Sequence, residues 1–411
     1  MKIAQINSVC GHGSTGEICI SLSKSMSENG IENKIYYGVK ESDFEKSEFF
    51  GSKLGTRMHQ IKTRCFGHHG FYSKRETYVL IKKLKEFRPD IVHLHNLHGH
   101  YINVKVLFDF LKKMDCKVVW TLHDCWPITG HCVHFDYEGC FKWKEGCKNC
   151  TQLLTYPTTY FRDPSEYNWI KKRELFTSIN DMTIVTVSEW LKQIVKQSYL
   201  NKYHVQRIFN GVNTQIFKEK DVSDLKKQLH LENKFVILGM AGKWLDERNR
   251  VLFQKIYDML EQDMQLLLIG NHTNIDEKEY KKIVFIDKIN NPDLLANYYN
   301  LADVFVNLSY EDTFGLVNAE AMSCGTPIIS FNSTACGEVV GNDEKCGMAL
   351  SPKVSGKKLY ECILEIKKNG KNSYTKNCIR RVELFFDEEV MKRQYMDLYH
   401  SIYEKRARST N

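Results

Sequence analysis

What most limits the fold of this chain is an alternation of short apolar runs with longer amphipathic ones that begins twice. Apolar runs at residues 2–9, 33–37, 90–95 (DIVHLH), 117–122 (KVVWTL) and 182–187 (MTIVTV) have the length of strands. They are rich in Val, Ile and Leu and mostly lack polar alternation, the pattern of strands covered on both faces. Helical patterns lie between them at 17–27 and 104–114, and Ser188 stands as an N-cap before Glu189. A turn at 209–213 and a charged stretch at 218–232 interrupt the series. It restarts with strands at 235–241 (FVILGMA), 264–269, 283–286, 304–308 and 327–331, and a helix at 251–261. Such alternation builds parallel sheets, so the expected fold class is α/β: two doubly wound parallel-sheet domains facing across a cleft, where a ligand belongs. The expected domains are 1–205 and 206–385, followed by a closing helix 386–411. In that helix Val390, Tyr395, Leu398 and Ile402 recur at helical spacing.

Composition removes several alternatives. Hydrophobic residues are 42% and charged residues 26%, a globular balance. No apolar stretch nears the roughly 18 residues of a membrane span. The opening MKIAQINSVCGHGSTGE has no apolar block before a small-residue cleavage site, so a cytoplasmic chain is expected. A net charge of +8 suits an anionic small substrate or an anionic membrane surface and does not call for nucleic acid.

Two segments carry chemistry. In Cys10-Gly11-His12-Gly13-Ser14-Thr15-Gly16, a glycine-rich loop joins the first strand to the first helix. Gly13 and Gly16 let the backbone approach a ligand, and the helix N-terminus favours an anion; a plain tight turn is the alternative. The second segment runs from Tyr310 to Pro327, YEDTFGLVNAEAMSCGTP. Residues 315–323 should form a helix that ends at Gly325 in the left-handed conformation. Its N-terminus, at Thr313, Phe314, Gly315 and Leu316, offers backbone N–H groups and a positive dipole end to a diphosphate. Glu320, about one and a half turns in, and Asp312, in the loop ahead, are carboxylates placed to accept hydrogen bonds from a ligand there. The alternative is a solvated acid before an ordinary core helix.

The whole 310–327 string resembles the donor-binding signature of glycosyltransferase family 4, retaining enzymes of the GT-B fold. Asn210-Gly211-Val212-Asn213 resembles the family's turn at its domain boundary, and Thr121-Leu122-His123-Asp124 its His-Asp at a strand end. The resemblance runs in order over nearly the whole chain. It implies a retaining, hexosyltransferase-type enzyme that takes a nucleotide-diphosphate sugar as donor. The acceptor implied is a glycan or lipid-linked glycan, in bacterial capsule, O-antigen or exopolysaccharide synthesis. Asp312, Glu320 and His123 are then the reacting-site residues, with His123 near the donor sugar. No cofactor is required for catalysis. One stretch departs from the pattern: where the family has Arg-Lys-Gly, this chain has Arg248-Asn249-Arg250. Arg248 is in place, but a neutral amide replaces a cation beside the leaving phosphates, so Lys243, Arg248 or Arg250 must supply the charge. A nucleotide-sugar epimerase or phosphorylase of the same fold, or a zinc-stabilised nucleic-acid-binding protein, are the competing functions.

Five of the 14 cysteines fall between Cys125 and Cys150. This insert resembles that of family members from bacterial surface-polysaccharide pathways, in which four cysteines follow the His-Asp segment. Cys132, Cys140, Cys147 and Cys150 match those four. Cys147-x-x-Cys150 has a chelate spacing, and four thiolates suit a closed structural zinc site. Two disulfides are the competing reading. Unlinked thiols are the third, which leaves a segment poor in aliphatic residues with little to order it. Ten of the 15 histidines lie between His59 and His134. His93 reads as a buried core residue, while His95, Asn96 and His98, past a strand's C-terminal end, fit the acceptor side. No metal role is expected for the histidines. Residues 53–88 hold ten Lys or Arg and two acids, which reads as a solvated face or as peripheral contact with the inner face of the cell membrane.

Overall fold

The computed structural model describes residues 1–273 and 275–410, the last four of these by backbone alone. Contacts gather the chain into two compact units, one of Met1–Ile208 with the chain from Lys392 on, the other of Phe209–Met391. The first unit has seven strands: β1 (Lys2–Asn7), β2 (Glu32–Tyr37), β3 (Ser47–Phe49), β4 (Ile91–Leu94), β5 (Lys117–Leu122), β6 (Met182–Thr186) and β7 (His204–Arg207). They pair in the order β3-β2-β1-β4-β5-β6-β7, all parallel, with Ile3 opposite Ile91 and Gln5 opposite His93. The second unit has β8 (Phe235–Met240), β9 (Met264–Ile269), β10 (Ile283–Ile286), β11 (Val304–Asn307), β12 (Ile328–Phe331) and β13 (Gly347–Leu350). Their order is β10-β9-β8-β11-β12-β13, again parallel throughout. The first sheet's interior is made by Ile3, Ile6, Ile91, Leu94, Val119, Trp120 and Ile184, and the second's by Ile237, Leu238, Leu266, Leu268, Phe305 and Ile328, all buried.

The first sheet also buries polar side chains, and each has a partner. His93 lies with Nε2 2.8 Å from Thr121 Oγ1 and Nδ1 2.7 Å from Tyr399 Oη. Thr121 Oγ1 is in turn 2.9 Å from Tyr395 Oη. Both tyrosines come from the last helix, Glu388–Thr410, so that helix closes the hydrogen bonding of β4 and β5. Arg406 extends the docking to Asp90 and Asp115.

The elements depart from expectation where polarity hides a strand or a loop tightens. The first helix starts at Gly13, so Gly13 and Gly16 lie in its opening turn. The basic stretch holds two helices, Lys53–Phe66 and Lys74–Phe87. β7 reads HVQR and is an edge strand, so it needs no apolar run. Among the described residues, no helix is long and apolar enough to cross a membrane.

Candidate functional site

In each sheet the strand order reverses once, between β1 and β4 and between β8 and β11. Ligands of open α/β sheets bind beyond the C-terminal ends of the strands at such a reversal. In the second unit the loops there are 241–250 after β8 and 308–315 after β11, which carry Lys243, Arg248, Asp312, Thr313 and Gly315. The helix Leu316–Ser323 starts from Gly315, whose φ of 84° is a left-handed conformation that disfavours any other residue. Glu320 is half-buried on that helix. Its Oε2 accepts a 3.1 Å hydrogen bond from Tyr299 Oη. Burial pushes the Glu320 carboxyl up to about 7, and the tyrosine's hydrogen bond opposes the shift. Asp312 is held by the loop after β12. Its N–H donates to Thr334 Oγ1 at 3.0 Å, its carbonyl accepts from the same hydroxyl at 2.8 Å, and the Cys336 thiol lies 3.6 Å from Oδ2. Phe314 is 3% exposed and packs on Phe209 and Phe386, so its ring is an anchor and only its backbone can meet a donor.

The altered stretch has a structural explanation. Asn249 is 0% exposed, and its Nδ2 donates to the carbonyls of Lys243 and Leu308, both at 2.8 Å. It therefore staples the loop after β8 to the loop after β11. Arg248 makes a bidentate pair with Asp246, Nε to Oδ1 at 2.8 Å and Nη2 to Oδ2 at 2.7 Å, over the ring of Tyr310. Lys243 is half-buried in the same loop; burial and then Asp312 push the Cys336 thiol well up, and the Lys243 ammonium opposes that shift.

In the first unit, β5 delivers His123. Gln5 Nε2 donates to the carbonyl of Cys19, which turns Gln5 Oε1 toward His95 Nε2 at 3.2 Å. His95 Nε2 thus carries its ring's proton, and His95 Nδ1 accepts from His123 Nε2 at 3.1 Å. Burial pushes His123 down to about 4, with Asp124 opposing and His98 assisting, so the ring is neutral at pH 7. His98 lies with Nε2 2.5 Å from Asp124 Oδ2 and Nδ1 3.1 Å from Tyr156 Oη. The Asn96 N–H donates to Asn7 Oδ1 at 3.2 Å, tying the loops after β4 and β1. Gly13, with a φ of 65°, and Gly16, whose added Cβ would lie 3.0 Å from Gly11 N, sit on the β1 side of the same reversal.

Cys132, Cys140, Cys147 and Cys150 are free thiols. Burial pushes Cys132 up to about 12, and Cys150, Cys147 and Cys140 add to the shift, so the four thiols are neighbours. Among the described residues, however, the ligating atoms gathered within 4.8 Å of one another are those of His59, His69 and His100, and the four sulfurs form no such group. Aromatic packing orders the insert: Trp126, Phe135 and Trp143 are buried, and Trp169 Nε1 donates to the Trp143 carbonyl at 2.9 Å. Beside the sulfurs lies a residue with no sequence signal, Lys172. Its buried Nζ donates to the carbonyls of Trp126 and Thr129 at 2.8 and 3.1 Å, and burial pushes it down to about 7.

Two parallel-sheet α/β units, each with its loops gathered at a strand-order reversal, make this a GT-B fold. Sucrose-phosphate synthase of Thermosynechococcus elongatus superposes with a TM-score of 0.70 over 98% of this chain and 100% of its own, at 16% identity. HepE of Anabaena, solved with UDP-glucose, does so with a TM-score of 0.65 over 98% and 100%, at 15% identity. Residues 16–216 match the family model described as Glycosyltransferase Family 4, and residues 219–383 the one described as Glycosyl transferases group 1. The chain belongs to this glycosyltransferase family. The Escherichia coli K12 protein WcaC, named for colanic acid biosynthesis glycosyl transfer, is 26% identical over 359 residues, 83% of this chain and 85% of its own. CapM of Staphylococcus aureus, a capsular polysaccharide biosynthesis glycosyltransferase, is 28% identical over 39% of this chain and 46% of its own.

Proposed function

We propose that this glycosyltransferase moves a hexose, with retention, from a nucleotide-diphosphate sugar to a growing bacterial surface polysaccharide at the cytoplasmic side of the membrane. The observation that carries the reading is Glu320, a half-buried carboxyl one turn into the helix that starts at Gly315, on the loop system of the β8/β11 reversal. UDP and UDP-glucose in HepE, and the polysaccharide pathways that name WcaC and CapM, support the donor and product class. Glu320 accepts from the ribose diol and Asp312 from the sugar hydroxyls. The diphosphate meets the helix N-terminus and Lys243, since Asp246 already engages Arg248. His123 hydrogen-bonds the transferred sugar. The bond from the anomeric carbon to the phosphate oxygen breaks, the acceptor oxygen bonds to the same face, and the acceptor's proton passes to the leaving phosphate. Preorganised donors around that phosphate supply the stabilisation.

The test is calorimetry with a panel of nucleoside diphosphates and their sugars, followed by transfer assays on Glu320→Ala. Binding of a nucleoside diphosphate and loss of transfer with the fold intact are expected; near-normal turnover in the variant would remove the assignment. Structural zinc on Cys132, Cys140, Cys147 and Cys150 stays a proposal, supported by their proximity. It predicts zinc in the purified protein that Cys150→Ser releases.

A further inference from the structure

Three histidines that the transfer reaction does not use converge in the first unit. His59 is on the helix Lys53–Phe66, His69 is in the loop that follows it, and His100 is in the loop after β4. Their ring centroids are 4.4 Å apart for His69 and His100, 5.3 Å for His59 and His100, and 5.7 Å for His59 and His69. One ring nitrogen from each lies within 4.8 Å of the other two. Burial keeps all three rings neutral: His59 is pushed down to about 3 with His100 assisting, His100 to about 4 with His98 and Arg64 assisting, and His69 well below its usual value with His100 and His59 assisting. Neutral imidazole is the form that ligates metal.

Hydrogen bonding leaves ligand capacity unspent. Nδ1 of His69 and Nδ1 of His100 are buried without a hydrogen-bond partner. Buried polar atoms are rarely left so. The Gly70 N–H donates to His59 Nε2 at 3.3 Å, so His59 carries its proton on Nδ1, 2.8 Å from Ser73 Oγ, and an ion on Nε2 would take over the lone pair that Gly70 now uses. A hydrogen bond on the far nitrogen is the support that metal-bound histidines usually have. The Gly99 N–H lies 3.3 Å from His69 Nε2. Both backbone contacts are at the long end for a hydrogen bond. Coordination through His69 Nδ1 would move that ring's proton to Nε2 and open the Gly99 contact.

We propose that His59, His69 and His100 bind one first-row divalent transition-metal ion, zinc or a metal of similar preference. Metal–nitrogen bonds of 2.0–2.1 Å in a tetrahedron set the nitrogens about 3.4 Å apart, so small ring rotations close the site. The fourth position falls to water. The ion ties the helix Lys53–Phe66 to the loop after β4, which carries Asn96 and His98. This site uses none of the insert's cysteines, although the His69 ring packs 5.7 Å from that of Trp126, and it is independent of the transfer reading.

The experiment is titration of the full-length, metal-stripped chain with cobalt(II). About one equivalent should bind at this site, with visible ligand-field bands of a nitrogen and oxygen environment. Cys150→Ser should keep those bands. His100→Asn should weaken binding at least tenfold while circular dichroism stays unchanged, because His100 has a φ of 65° and Asn tolerates the left-handed region. His69→Gln should act the same way and guards against a folding defect special to His100. Absence of cobalt binding overturns the proposal. So does a spectrum made only of thiolate charge-transfer bands that His100→Asn leaves unchanged.

Discussion

At Glu320 burial removes the water that would favour the ionised carboxyl, and Tyr299 Oη only partly replaces it, leaving the pKa at about 7 against an ordinary 4.5. Between those values the folded chain holds more protons than the unfolded chain, so stability falls as pH rises through the window and is level above it. A shift of that size is worth on the order of 3 kcal/mol. Glu320→Gln should flatten the slope, which melting temperatures measured across the window would reveal; an unchanged slope would assign it to another group. Binding a diol as an acceptor needs the ionised form, so donor affinity should rise as pH passes about 7. The charge on the diphosphate is the second residue-scale question. Asp246 already engages Arg248 in two hydrogen bonds, whereas Lys243 has no such bidentate carboxylate. Lys243→Ala should therefore weaken nucleoside diphosphate binding more than Arg248→Ala does. A charge-assisted hydrogen bond of about 1.5–3 kcal/mol makes that a loss of tenfold or more, read by calorimetry. The reverse order would return the role to Arg248.

The strands around both reversals were legible as apolar runs because strands buried on two faces leave no room for polar alternation. β7 was not, since an edge strand reading HVQR carries no such run. Asn249 shows a different limit. Read along the chain, it is a missing cation; in the fold its amide is turned inward to join two loops, and sequence does not say which way a loop side chain faces. The insert's few aliphatic residues understate its order, because Trp126, Phe135 and Trp143 do the packing. The basic stretch resolves into something sharper than a solvated face. On the helix Lys53–Phe66, Leu54, Met58 and Ile61 are exposed at helical spacing, beside Lys53, Arg57, Lys62 and Arg64 and with no acid. The helix Lys74–Phe87 adds Tyr78 and Val79 in a groove with Lys74, Arg75, Lys82, Lys83 and one acid, Glu86. Contact of this face with anionic lipid is the proposal that composition supports. The chain should co-sediment with anionic vesicles, less so as salt rises, and Met58→Glu with Ile61→Glu should abolish the association. Equal sedimentation of wild type and variant would return the helix to the role of a solvated face.

For the molecule as a whole, the strand–helix alternation and its restart foretold two sheets, and the spacing of Val390, Tyr395, Leu398 and Ile402 foretold the last helix. What spacing could not convey is that Tyr395 and Tyr399 complete the hydrogen bonding of Thr121 and His93, 274 and 306 residues earlier. Removing residues 392–411 should accordingly leave the second unit able to bind a nucleoside diphosphate while the first unit melts lower or takes up an apolar dye. Unaltered melting of both units would show that the helix is dispensable. The same arrangement has a consequence for how the chain is made. Domains of a growing polypeptide generally fold in order of emergence, first domain first. Here the first unit leaves the ribosome early yet waits for residues 392–411 before His93 and Thr121 gain their tyrosine partners. The second unit has all its strands by then. The unit that emerges first is thus completed after the second, and a chain cut short before residue 392 forfeits the docking of its first unit rather than of its second.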